Sequence, residues 1–260
     1  MEANQLVYKT NCPTCFSNKY KVIFANIKDQ DDYGNLLEKP FKDLKFVVVR
    51  CNSCSTTYLQ VRPNDKCIGR YYEGEYHCYK SFSSRGFLMN IFSKVSGKLI
   101  ANSLRKKINK SSTDKHYLLD YGCGSGNWIN ILKNEFKNWK FAGTEVTTQA
   151  VDLARLNDID CYKSDENDLL EFFEENSVDV VNLFHVIEHI PDPLKALKVL
   201  KKILVPGGII IGQTPNIDSW DAKLFGKNWS QLHIPRHMTL YSPKTLRIHA
   251  IKSGMNLIEI

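Results

Sequence analysis

The chain has 260 residues, 43% of them hydrophobic, and carries 35 Lys plus Arg against 28 Asp plus Glu for a net charge of +7. That length buries a full core, with room for one large domain and a small appendage. No run of 18 or more apolar residues occurs and "MEANQLVYKTNC" lacks an apolar signal region, so a helical membrane span is excluded and a cytoplasmic location is expected.

The first zone, residues 1–80, holds the β-type runs "KYKVIFAN" and "FKDLKFVVVR" and two cysteine pairs, "CPTC" (Cys12, Cys15) and "CNSC" (Cys51, Cys54). In a reducing compartment the eight cysteines are expected as thiols or metal ligands. Two such knuckles present four thiolates to one tetrahedral ion, which suits Zn2+ with no open position, a structural zinc-ribbon-like site. The other four, Cys67, Cys78, Cys123 and Cys161, are expected to be ordinary small side chains.

The second zone, residues 81–115, is a basic amphipathic helical linker. Between Arg85 and Lys115 eight basic residues face one acid, Asp114, so this segment alone sums to +7 and the rest of the chain to zero. Leu88, Ile91, Phe92, Val95 and Leu99 recur at helical spacing between the lysines. Such a stripe ordinarily packs on a neighbouring domain while its lysines stay in water. A basic apolar face also fits an anionic membrane surface, a lipid-linked precursor or RNA.

From residue 116 strand-like and helix-like segments alternate, which predicts βαβ units and a parallel sheet. "HYLLDYG", "KFAGTEV", "DIDCYKSD" (weak), "VDVVNLFHVI" and "IIIGQTP" read as five strands, with "VPGG" as a turn before the last. "LLDYGCGSGNW" ends the first strand in an acid and three alternating glycines, Gly122, Gly124 and Gly126. A dinucleotide fingerprint needs its third glycine three positions after the second, and Asn127 stands there instead; the phosphate-loop Lys-Ser/Thr is absent. Alternation after Asp120 suits a ligand whose nearer end is an amino acid, with the acid meeting its ammonium group. Glu145, ending the second strand, is placed to accept the ribose hydroxyls of a nucleoside.

Those residues, with "GTEV", "KSDENDL" and "VDVVNLFHVIEHIPDPLKALKVLKKILVPGGIIIGQTPN", resemble the class I S-adenosylmethionine-dependent methyltransferases over residues 116–260. Within that class the run "HVIEHIPDP" resembles ubiquinone-biosynthesis and sugar or polysaccharide-cluster methyltransferases. Several of the latter also carry a cysteine-rich zinc module and a Tyr-rich stretch such as "YYEGEYHCY". The resemblance implies an α/β, doubly wound Rossmann-like sheet beside a small N-terminal zinc-binding β module. It assigns Gly122, Gly124 and Gly126 to the methionine portion of the cofactor, Glu145 to its ribose, and Asp165 with Glu166 to its adenine. The family sheet normally ends in a hairpin of sixth and seventh strands, and after "MNLIEI" no residues are left for a seventh.

Ligands in open α/β sheets sit beyond the carboxyl ends of the strands, which puts His185, Glu188 and His189 near the reacting atoms. A hydroxyl acceptor needs a base, for which His185 is the first choice and His189 the second, with Glu188 orienting either ring. The pattern His-x-x-Glu-His also offers ligands for a divalent ion. The long connection "SWDAKLFGKNWSQLHIPRHMTLYSP" reads as a lid, with Trp220, Phe225, Trp229 and Tyr241 as stacking faces and Arg236 for an anion. The resemblance includes its "PRH" element, making His237 a further candidate base. The acceptor expected is a small molecule or one linked to a lipid or nucleotide carrier, foremost a sugar in glycan biosynthesis, methylated on oxygen or carbon. The alternatives are an RNA methyltransferase and a cofactor-binding module without turnover. Against RNA, the zinc zone lacks a concentrated basic face and Asn-Pro-Pro-Tyr is missing after the fourth strand.

Overall fold

A computed structural model describes residues 6–29, 45–64, 68, 72, 87–108 and 115–260, without the side chains of 87–94. Cys67, Cys78 and the Tyr-rich stretch apart from Tyr72 lie outside the described residues. Along the chain run β1 (Leu6–Tyr8), β2 (Tyr20–Ile27), β3 (Phe46–Cys51), β4 (Thr57–Leu59), β5 (Val61–Pro63) and α1 (Phe87–Lys107). Then follow β6 (Tyr117–Tyr121), α2 (Asn127–Glu135), β7 (Lys140–Glu145), α3 (Thr148–Leu156), β8 (Cys161–Lys163), α4 (Leu169–Phe172) and β9 (Val178–Phe184). The remainder holds α5 (Pro193–Ile203), β10 (Leu204–Gln213), α6 (Trp220–Phe225), β11 (Thr239–Leu240) and α7 (Pro243–Lys252). No helix among the described residues is long and apolar enough to cross a membrane.

The chain divides into two compact units that alternate along the sequence: Met1–Glu75, His185–Lys198 and Gln213–Ile260 form the first, Tyr76–Phe184 and Val199–Gly212 the second. A linear division at residues 80 and 115 does not describe this arrangement, because residues far apart in sequence complete one sheet. In the first unit a sheet of order β11-β4-β3-β2 takes three strands from before residue 60 and its edge from β11, where Thr239 pairs with Tyr58 and Leu240 with Thr57. Phe46, Val48 and Leu59 of that sheet pack with Leu232, Ile234 and Leu240 in one core, each 2% exposed or less. Removing such side chains from water stabilises by about 1.5–3 kcal/mol apiece, so the late segment is held to the early one by burial.

The second unit is a five-stranded sheet of order β10-β9-β6-β7-β8. β6 pairs in parallel with β7 and β9, and β7 in parallel with β8. Parallel strands covered on both faces read as continuous apolar runs, and Leu118, Leu119, Val180 and Val181 are all 0% exposed. All five expected strands are present. β10 begins earlier than expected and takes in "VPGG". A Cβ on Gly208 would lie 2.9 Å from the Val205 carbonyl and 3.1 Å from that of Asp179 in β9, so glycine lets this backbone run close along its neighbour. Residues 255–260 carry no strand. The fold is the α/β doubly wound sheet that the sequence implied.

Candidate functional site

The order of the sheet reverses at β6, whose neighbours are β7 on one side and β9 on the other, and the glycine loop leaves β6 at that switch point. Gly122, Gly124 and Gly126 have φ of 77°, 56° and 76°. This left-handed region disfavours any side chain, which explains the alternation. The amides of Gly122 and Cys123 both donate to the Thr144 carbonyl, at 2.9 and 3.0 Å, fastening the loop to β7. At Gly126 a Cβ would fall 2.3 Å from Ile159 Cγ1, and at Gly143 of β7 one would fall 2.4 Å from Cys123 Sγ. The bare Gly143 leaves room beneath the loop for Cys123, whose Sγ lies 3.6 Å from that of Cys161.

Glu145 grips this loop from the end of β7: the Gly124 amide donates to its Oε1 at 2.7 Å and the Val146 amide to its Oε2 at 3.2 Å. Burial raises its pKa, against the lowering by those two amides. Asp120 is 3% exposed and accepts a 2.6 Å bond from Asn182 Nδ2, its register partner on β9. Burial pushes its carboxyl up to about 7, opposed by Asn182 and assisted by the charge of Glu145. Asn182 Oδ1 has no hydrogen-bond partner among the described residues. Sequence reading missed Asn182 and Gly143, although a lone amide in "VDVVNLF" was a visible signal. After β8, Asp165 Oδ1 accepts from the Asn167 amide and from Asn167 Nδ2, both at 2.7 Å, so this carboxylate shapes its own turn. Glu166 accepts from the Tyr121 hydroxyl at 3.4 Å.

In the first unit, His185 (φ 55°) donates its amide to the Gln213 carbonyl at 2.7 Å and leads into a single 3₁₀ turn, Ile187–His189. Glu188 in that turn is 1% exposed, and neither of its oxygens has a hydrogen-bond partner among the described residues. His185 Nδ1 stands 3.5 Å from Glu188 Oε1 while its ring is half exposed. The lid segment is sewn to this turn, since the Met238 amide donates to the Glu188 carbonyl at 2.8 Å. His237 is thereby brought beside His189, their ring centres 4.6 Å apart, with His233 5.0 Å from His237. One side-chain nitrogen or oxygen from each of Glu188, His189 and His237 lies within 4.8 Å of the others, a spacing that would also accept a cation.

His237 Nδ1 lies 2.8 Å from the Gln231 carbonyl, which accepts the ring N–H and leaves Nε2 as a lone pair. His189 Nδ1 is 2.9 Å from the Tyr72 hydroxyl and 3.2 Å from the Arg236 carbonyl. Burial lowers the pKa of both rings; the charge of Glu188 opposes it at His189, and neighbouring histidines add to it at His237. Both imidazoles are therefore held in the neutral form at neutral pH. Tyr72 escaped sequence reading because nothing in its local pattern connects it with residue 189. Of the expected stacking residues, Trp220 and Phe225 are exposed, but Trp229 (3%) and Tyr241 (0%) are core. Arg236 is buried in an ion pair with Asp29 at 3.0 Å, so it is already engaged and does not stand ready for a substrate anion.

The two cysteine knuckles are built alike. Phe16 donates its amide to the Cys12 carbonyl and Ser55 to that of Cys51, both at 3.0 Å, and each donor sits in the left-handed region, at φ 62° and 67°. Cys12 and Cys54 sulfurs are 3.5 Å apart, as are those of Cys15 and Cys51, and all four fall within 4.8 Å of one another. Sulfurs bound tetrahedrally at about 2.3 Å from an ion would be about 3.8 Å apart, so the four fit one. Burial raises the Cys12 thiol, whereas at Cys51 burial is outweighed by the Cys54 and Ser53 amides, which bring it down to about 7. Thr14 Oγ1, inside the first knuckle, contacts Thr56 Oγ1 at 2.8 Å and His249 Nε2 of α7 at 3.1 Å, tying the cluster to the far end of the chain.

Sheet order and the glycine loop at the switch point define a class I S-adenosylmethionine-dependent methyltransferase domain. The methyltransferase-domain family matches residues 92–260, and the chain belongs to it. It is 25% identical over 154 residues to a ubiquinone biosynthesis O-methyltransferase of Cupriavidus pinatubonensis, covering 55% of this chain and 61% of that one. It is 28% identical over 130 residues to a demethylmenaquinone methyltransferase of Staphylococcus saprophyticus, covering 48% and 54%. The chain thus spans about three fifths or less of these relatives' lengths. An S-adenosylmethionine-dependent methyltransferase structure from Thermotoga maritima shares the fold, with a TM-score of 0.51 at 20% identity over 72% of this chain and 79% of that one.

Proposed function

We propose that the chain transfers a methyl group from S-adenosylmethionine to a hydroxyl or acidic carbon of a small acceptor. The observation that carries this reading is the left-handed glycine loop held by Glu145 beside the buried Asp120. When bound, the cofactor supplies the methyl group as an electrophile activated by its positive sulfur. Gly122, Gly124 and Gly126 let the backbone approach its methionine portion, and Asp120 in ionised form meets the ammonium group. Glu145 would hold the ribose hydroxyls, and Glu166, with Asp165 fixing the turn, would meet the adenine.

Within the first unit, neutral His237 is the candidate base, through Nε2, with the carboxylate of Glu188 nearby to steady an imidazolium. His189, with Tyr72 at its Nδ1, holds the same chemistry in reserve, and half-exposed His185 contacts the acceptor. Cys12, Cys15, Cys51 and Cys54 hold a structural Zn2+ that contributes folding free energy and no chemistry.

Two acceptor classes have support of different kinds. The relatives' names favour an acceptor of the ubiquinone or menaquinone type, methylated on oxygen in the first. A sugar on a carrier rests on the pairing of a cysteine module with this domain. Titration calorimetry with S-adenosylmethionine tests the cofactor site, and Gly124→Asp, which sets a carboxylate against Glu145, should abolish the binding. Mass spectrometry after incubation with catechol-type quinol precursors and with nucleotide-linked sugars then identifies the acceptor by a gain of one methyl group. Cofactor binding without transfer to any acceptor would favour a module without turnover. Transfer only to RNA, weakening steeply with salt, would favour the nucleic-acid alternative. Unchanged cofactor affinity in Gly124→Asp would remove the assignment of the loop.

A further inference from the structure

Val95 and Leu99, from the apolar stripe that the sequence of α1 presents, are not buried. The residues that α1 packs inward are Gly97, Ala101 and Leu104, the last two 0% and 1% exposed. Gly97 is pressed so close to α2 that a Cβ there would meet Ile131 Cγ2 at 2.2 Å. Val95 and Leu99, from the stripe, are instead 52% and 65% exposed. Val95 and Leu104 are nine residues apart, which at about 100° per residue puts them on opposite sides of the helix. One side is therefore committed to the domain core and the other carries apolar groups in water.

The charge on this helix is of one sign. From Phe87 to Lys107 the sequence has Lys94, Lys98, Arg105, Lys106 and Lys107 and no acid. Arg105 is bound to α2, donating to the Glu135 carbonyl at 2.8 Å with the Glu135 carboxylate at 3.5 Å. Lys98 and Lys106 are exposed, and Lys106 follows Leu99 by seven residues, so the two share one side. Exposed aliphatic groups interspersed with lysines along a helix are the pattern that lies in the headgroup region of a bilayer, the apolar groups entering the acyl boundary and the lysines meeting phosphate. RNA would satisfy the lysines but would leave Val95 and Leu99 without apolar partners.

We propose that the outer face of α1, carrying Val95, Leu99, Lys98 and Lys106, docks on an anionic lipid bilayer. The surface is distinct from the glycine loop and the histidine cluster, and the inference does not depend on the methyl-transfer reading.

The test is co-sedimentation of the full chain with vesicles of phosphatidylcholine and phosphatidylglycerol in a 3:1 ratio, compared with phosphatidylcholine alone. Binding should require the anionic lipid. Lys98→Ala with Lys106→Ala should weaken it roughly 25-fold, about fivefold for each lysine. Val95→Ser with Leu99→Ser should also reduce it, by at least about tenfold. Both double variants alter only exposed positions and should keep the parent's circular dichroism and its affinity for S-adenosylmethionine. Equal binding to both vesicle types, binding to neither, or parental binding by the variants would overturn the proposal. So would a duplex RNA that displaces the vesicles and still binds Val95→Ser with Leu99→Ser, or a dimer in sedimentation that this variant dissolves.

Discussion

Replacing Asp120 by asparagine isolates the electrostatic cost of the carboxyl group under the glycine loop. Its pKa stands at about 7 in the folded chain against an ordinary 3.8. At about 1.4 kcal/mol per pH unit this difference is worth about 4 kcal/mol. Because the folded value is the higher one, Asp120 is tolerated best when neutral. The corresponding stability is fully present below pH 3.8 and is lost as pH rises to about 7. Asparagine has nearly the same shape and can still accept the bond from Asn182, but it does not titrate. In urea unfolding the variant and the parent should be close at pH 4, and the variant should become more stable as pH rises, by up to about 4 kcal/mol at pH 8. Cofactor affinity should move the other way. In the parent it should climb with pH, up to about tenfold per unit, and level off above 7, as Asp120 ionises to meet the ammonium group. In the variant it should be weak and flat across that interval. A stability gap that does not change with pH, or cofactor affinity equal to the parent's at pH 8, would refute this account.

Gly126→Ala should lose roughly 2–4 kcal/mol of stability, because the residue is left-handed and its new methyl group would meet Ile159; chemical unfolding measures this. Cys51→Ser should lower bound zinc from one equivalent to nearly none by elemental analysis and should destabilise the first unit. The second unit should keep its cofactor affinity in calorimetry. His237→Gln should reduce kcat by 10²–10⁴-fold, of the order expected for a lost general base, while cofactor affinity stays at the parental value. Because His189 and His237 are held below the usual histidine range, the stability they contribute is present above about pH 6.5 and is lost as pH falls through their folded values. Acid should therefore loosen the first unit while it relieves Asp120 in the second, which hydrogen exchange at pH 5 and pH 8 would resolve.

Local pattern was sufficient wherever one segment carries its own physics. The apolar runs of β6 and β9 declare buried parallel strands, and the alternating glycines declare a left-handed loop before a helix. The spacing of each cysteine pair declares a knuckle. These signals depend on neighbours within a few residues, so they survive in the linear chain. What needed the folded chain were contacts made by closure over long separations. His249 reaches Thr14 across 235 residues, Tyr72 reaches His189 across 117, and β11, at Thr239, completes a sheet begun at Tyr20, none with a local signature. The stripe on α1 was legible as a pattern, but its fate was not. Periodicity shows that one side of a helix is apolar, and packing alone decides which side finds a partner. Small residues won that contest here, because Gly97 and Ala101 let α1 come close to α2, where larger side chains would have held the two helices apart.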